Sequence, residues 1–183
     1  MALTRRTFLK TGVAGFGSIL LLPSCLKQSG PYRFFTPAEA SCLIALCEQI
    51  IPEDIHGGGA TEAGAIRYID KQLTVVFSYD QVKYQNGIAA IQQSSLELHG
   101  KRFEMLDCET QTGFLRTMEA EELPKAHWTG MNQAGFFGLV ISHTMQGFYG
   151  APRHGGNKDY MSYKMMGLDF PLVVGQNRYN YVN

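Results

Sequence analysis

Between positions 146 and 160 the chain reads QGFYGAPRHGGNKDY. It sets Arg153, His154, the pair Gly155-Gly156, Asn157 and Asp159 within seven residues and flanks them with Phe148, Tyr149 and Tyr160. A guanidinium fork, an imidazole and a carboxylate at such short range could hold an oxyanion, move a proton or grip another protein. Metal chemistry is the first alternative to test. The five histidines are His56, His99, His127, His143 and His154, and no two stand three or four apart, the spacing that puts two ligands on one helix face. A metal site would have to be gathered from distant segments, and none is expected. His143 is expected as a hydrogen-bonded core or interface residue, and His154, in a polar Gly-rich setting, as an exposed one.

The remaining chemical motifs are tested the same way. HGGGATEAG, from His56, follows a helix instead of a strand and has neither the G-x-x-x-x-G-K-[ST] nor the G-x-G-x-x-G pattern, so it reads as a flexible interhelix loop. There is no G-x-S-x-G elbow, no C-x-x-C-H for covalent haem and no C-x-x-C pair for zinc or an iron–sulfur cluster. Cys42 and Cys47 lie five apart on one predicted helix and point in different directions, which argues against a bridge; with Cys108 they are expected as buried free thiols. Glu119, Glu121 and Glu122 read as a solvated face. No catalytic residue is expected. The glycines Gly150, Gly155 and Gly156 permit tight turns, Arg153 offers a planar donor fork and Asn157 can pair with a backbone amide. Phe148, Tyr149, Gly150, Arg153, His154, Gly155, Gly156 and Asn157 are therefore read as a partner interface; the other reading is a loop folded back on its own helices.

The elements that position this segment are helical. A chain of 183 residues, 45% apolar, suffices for one domain with a full core. Thr36, Pro37 and Glu39 form a capping box with proline at the first helical position, and Leu43, Leu46, Cys47 and Ile50 share one face before Pro52 ends the helix. Thr61 is expected to open a second helix with Ile66, Ile69, Leu73, Val76 and Phe77 inward. A third, about Asp80 to Leu98, turns Tyr84, Ile88, Ile91 and Leu98 inward and stops at His99-Gly100. A fourth, near Glu109 to Leu123, buries Phe114, Leu115 and Met118. A fifth, about Thr129 to Phe148, is apolar nearly all round, as a central helix would be. Strand patterns are scarce, so the fold class is mainly α, a compact helical bundle with an irregular Gly-rich C-terminal segment.

The N-terminus reads TRRTFLKTGVAGFGSILLLPSC. Arg5 and Arg6 precede an apolar run of 11 residues, Gly12 to Leu22, too short to span a bilayer and suited to a signal-peptide core. S/T-R-R-x-F-L-K resembles the twin-arginine export signal, which carries proteins already folded, so the expected location is the periplasm. LLPSC resembles a lipobox, in which case an acylated Cys25 holds the protein on a membrane face; the alternative is a plain cleaved signal. The division is residues 1–25 as signal, 26–35 as linker and 36–183 as a single helical domain with a C-terminal arm. Beyond residue 25 the chain holds 13 bases against 16 acids, and this acidic balance argues against a nucleic-acid partner.

Three stretches in order, IIPEDIHGGGATEAGAIRYID, YQNGIAAIQQSSLELHGKRFEMLDCETQTGFL and GFYGAPRHGGNKDYMSYKMMGLDFP, resemble the gluconate 2-dehydrogenase subunit 3 family. F-Y-G followed by H-G-G-N is the most specific part. The resemblance implies a small, non-catalytic subunit of a periplasmic sugar or alcohol dehydrogenase. It implies a large partner of the glucose-methanol-choline oxidoreductase type that holds FAD, oxidises the substrate and often passes electrons to a cytochrome c subunit. It also implies that the small subunit carries the export signal and escorts the folded flavoprotein through the twin-arginine translocase. On this view the chain itself holds no cofactor. The readings set against it are an autonomous periplasmic enzyme using His154 and Arg153, and a lipoprotein with only a structural task.

Overall fold

The computed structural model describes residues 31–55 and 57–168. Arg5, Arg6, Cys25, His56 and the tail from 169 lie outside the described residues. Helix α1 runs Pro37–Ile50. Its capping box is formed as expected: Thr36 Oγ1 accepts from Glu39 N at 3.2 Å and Thr36 N donates to the Glu39 carboxylate at 2.8 Å. Ala40, Cys42, Leu43, Leu46 and Cys47 are buried, while Ile50 is only partly so.

Helix α2 is Ala65–Leu73, and two expectations for it fail. Thr61 does not cap it, because the Thr61 hydroxyl is taken by the Glu48 carboxylate, which also accepts from the Thr61 and Glu53 amides at 3.0 Å. That carboxylate ties the base of the glycine loop to α1, and the helix starts instead behind Gly64, whose φ of 74° suits glycine. Val76 is exposed, not inward, because the helix ends at Leu73 and its periodicity stops short of that position.

Helix α3 spans Gln81–His99 and closes on a left-handed Gly100, as the His-Gly pair predicts. Tyr84, Ile88 and Ile91 are buried, but Leu98 is exposed, since every residue from 96 to 102 lies on the surface and the last turn projects past the bundle. Helix α4, Cys108–Glu119, buries Phe114, Leu115 and Met118 behind an Asp107 cap. Cys108 sits at its first position and is exposed, against the expectation of a buried thiol; Cys42 and Cys47 are buried and free. Burial pushes the Cys47 thiol up to about 12, so it is an inert packing group.

Helix α5, Gln133–Tyr149, is capped by Asn132 and starts four residues later than Thr129. It touches all four preceding helices, so it is the central one. One face reaches the surface, where Gly135, Gly138, Ser142, Met145 and Gln146 are exposed. A short α6, Met161–Met165, follows two single turns at Pro152–His154 and Lys158–Tyr160. The result is the mainly α bundle expected, with a lone bridge between Asp54 and Gly57 and no strand among the described residues.

Candidate partner-binding segment

The segment that drew attention in the sequence is anchored from within before it shows anything outside. Phe148 is 1% exposed and belongs to the interior. Gly156 passes directly over the backbone of Gly147 in α5, and the amide of Asn157 donates to the Gly147 carbonyl at 2.8 Å. Asn157 is itself buried; its Nδ2 donates to Gly150 O at 2.9 Å and its Oδ1 accepts from Ser162 N at 2.9 Å. One carboxamide thus clips both ends of the loop together. The Lys158 amide reaches Ala63 O at 3.0 Å, tying the loop to the turn before α2.

Helix α2 holds the other side. Lys71 Nζ donates to the Arg153 carbonyl at 2.9 Å, and Gln72 Nε2 to the His154 carbonyl at 3.4 Å. Arg153 Nε points at His154 Nε2 at 3.1 Å, so the two side chains stand together on the outside, with Tyr149 also on the surface. Asn157, Asp159 and Tyr160 all have left-handed backbones, with φ of 44°, 54° and 59°. Such conformations cost side-chain-bearing residues about 1–3 kcal/mol each and persist only where the surroundings over-determine them.

Between this segment and the start of α2 lies a cleft of about 540 Å³, bordered by Tyr32, Glu62, Arg67, Lys158 and Asp159. Two cations against two carboxylates leave the rim with no net charge. That arrangement suits a polar chain segment with both donors and acceptors better than a bare anion.

The histidines are dispersed. His143 is buried in the bundle, where Nδ1 pairs with Tyr84 OH at 3.0 Å and the ring stacks on Phe77 at 4.3 Å and 4°. That is the hydrogen-bonded core role expected of it. His127 meets Glu97 at 2.6 Å, His99 lies near Phe114, and His154 is exposed. Among the described residues no group of three or more His, Cys, Asp or Glu side chains could hold a metal ion.

Burial holds the His143 imidazole below its ordinary 6.5, so folding favours the neutral ring. The associated stability is complete above 6.5 and is lost as pH falls through 6.5 toward the lower folded value. Melting temperature should therefore drop more steeply on acidification from about pH 8 to about 5 in the wild type than in His143→Gln. Parallel profiles for the two proteins would remove His143 as the cause.

Sequence reasoning missed Asp70, Lys71 and Gln72, which do most to place this region. Asp70 is 4% exposed and accepts from the amides of Arg33, Phe34 and Phe35 at 2.7, 2.8 and 3.2 Å. The available signal was position: Asp70 stands four residues after Ile66 and three before Leu73, on the face those residues turn inward, so its carboxylate has to find partners there.

No curated protein and no solved structure matches the chain. The family model for gluconate 2-dehydrogenase subunit 3 matches residues 37–169, which takes in all six helices and the whole anchored segment. The chain belongs to the gluconate 2-dehydrogenase subunit 3 family, and is thereby a subunit of a dehydrogenase complex.

Proposed function

We propose that this chain is a non-catalytic small subunit that binds, stabilises and escorts a large FAD-dependent sugar or alcohol dehydrogenase of the glucose-methanol-choline type. The family match over 37–169 carries this reading. The sequence of the first 25 residues supports the export part of it: a twin-arginine leader moves folded cargo, so one leader can take a bound partner with it. FAD belongs to the large subunit, and no residue of this chain is assigned to it. A cytochrome c subunit is the natural acceptor of the electrons in such a complex. Binding stabilises the partner by mass action, since only its folded form is recognised. The complex then works in the periplasm, at the membrane face if Cys25 is acylated.

The test replaces Arg5 and Arg6 together by lysine in cells producing both subunits. Flavin-dependent sugar oxidation should move from the periplasmic to the cytoplasmic fraction, with the large subunit following. The reading fails if the large subunit reaches the periplasm without this chain, or if the purified chain oxidises a sugar by itself. Mass spectrometry of the mature N-terminus decides between acylated Cys25 and a plain cleaved signal.

A further inference from the structure

The turn joining α2 to α3 displays an apolar surface that folding leaves uncovered. Within residues 75 to 82, Val75 is 64% exposed, Val76 57%, Tyr79 70% and Val82 63%. Scattered exposed apolar residues are ordinary, but four large ones within eight consecutive residues, three in the turn and Val82 at the start of α3, are a concentration of the kind that marks a binding surface.

The turn is held firmly from beneath. Phe77 turns inward onto His143, its amide donates to Gln72 O at 2.8 Å, and Gln81 Nε2 donates to Leu73 O at 2.8 Å. Asp80 is buried and pairs with Lys83 at 2.7 Å. A pinned turn presents its valines and tyrosine in one arrangement, so little ordering cost remains at association.

The same end of α2 also carries Lys71 and Gln72, which grip the carbonyls of Arg153 and His154 and stand three residues before Thr74 and Val75.

We infer that the α2–α3 turn, centred on Val76 and Tyr79, is the core of the docking face for the larger dehydrogenase subunit. The inference rests on the proposed function. Family membership supplies the occupant, since a subunit of a dehydrogenase complex has a partner to cover such a face. An anionic membrane surface is a poorer match. Within residues 74 to 83 the charged side chains are Asp80 and Lys83, which pair with each other, where membrane-surface helices carry an excess of cations.

The test uses the full-length chain, affinity-tagged and produced in its native host together with the large flavoprotein subunit. The readout is co-purified flavoprotein, identified by mass and flavin absorbance, and its affinity for the tagged chain. Val76→Asp and Tyr79→Asp should each weaken the complex at least about 30-fold, the loss expected for a buried hot spot. Leu98→Asp, exposed at the far end of α3, should stay within about twofold of wild type. The double variant Val76→Ser, Tyr79→Ser gives the same result with less disturbance, and unchanged melting shows that the fold is kept. Retention of the flavoprotein by folded variants overturns the inference while leaving the proposed function standing. If the variants instead abolish self-association of the wild type, or its capture by phosphatidylglycerol vesicles, with flavoprotein binding intact, the face belongs to a second copy or to the membrane. If wild type brings down no flavoprotein, the inference and the proposed function fall together.

Discussion

Replacing Asp70 with alanine is expected to lower the unfolding free energy by about 3 kcal/mol and to release residues 31–35 before the rest of the chain unfolds. The carboxylate accepts three backbone amides, two of them at 2.7 and 2.8 Å. Bonds to a charged acceptor contribute about 1.5–3 kcal/mol each, but water can replace some of them at the half-exposed Phe34 and the exposed Arg33. The Phe35 amide is buried, so its loss is not recovered in this way. Asparagine restores only part of the stability, since its amide group sets a donor where an acceptor is needed.

Phe35 makes the effect cooperative. It is 1% exposed and packs edge-on against Phe34 at 4.9 Å and Tyr84 at 5.8 Å. Loosening its backbone therefore disturbs the centre of the bundle as well. Urea unfolding with hydrogen exchange at the 33–35 amides checks both parts. A variant within about 0.5 kcal/mol of wild type, with these amides still protected, would show that Phe35 packing alone holds the segment. The functional consequence is local: Tyr32 borders the cleft, so release of this segment opens one of its walls.

Asp70 also marks the limit of what was legible beforehand. The α1 cap was readable because Thr36, Pro37 and Glu39 lie within one turn and interact locally. Tyr84, Ile88 and Ile91 were readable because α3 is long enough for its period to dominate. The start of α2 is not legible from its own residues, because Glu48, thirteen residues earlier, competes for Thr61. Periodicity alone turns Val76 inward, because it does not reveal that the helix stops at Leu73. In the candidate segment the residue types were evident, whereas their division into anchors and displayed groups was not. Phe148 and Asn157 resemble contact residues by type, yet they fill the interior, and Arg153 and His154 are left outside. That division depends on Gly147, ten residues from the Asn157 it holds, and on Lys71 and Gln72, 82 residues from Arg153 and His154.

Gly156→Ala tests the anchoring most severely. A methyl group there would lie 2.0 Å from the Gly147 carbonyl oxygen and 3.0 Å from the Gly147 Cα. Neither atom belongs to a side chain that could rotate away, and Gly147 cannot retreat, because it already packs on Ala65 and Tyr68 of α2. Either the backbones separate, at about 3 kcal/mol, or the loop lifts off α5. Lifting is the expected outcome, since Asp159 and Tyr160 hold left-handed conformations that relax once the Asn157 amide loses the Gly147 carbonyl. Hydrogen exchange should then show protection lost from 157 to 163, with most of the helical signal kept and binding of the large subunit weakened through the displaced Arg153 and His154. Gly138→Ala is the matching control. Its added methyl meets nothing within 4 Å in mid-helix, and it should stabilise by about 0.5–1 kcal/mol. If Gly156→Ala melts and exchanges like wild type, the loop has a second way to sit on α5. The display of Arg153 and His154 would then not depend on the close approach of these two glycines.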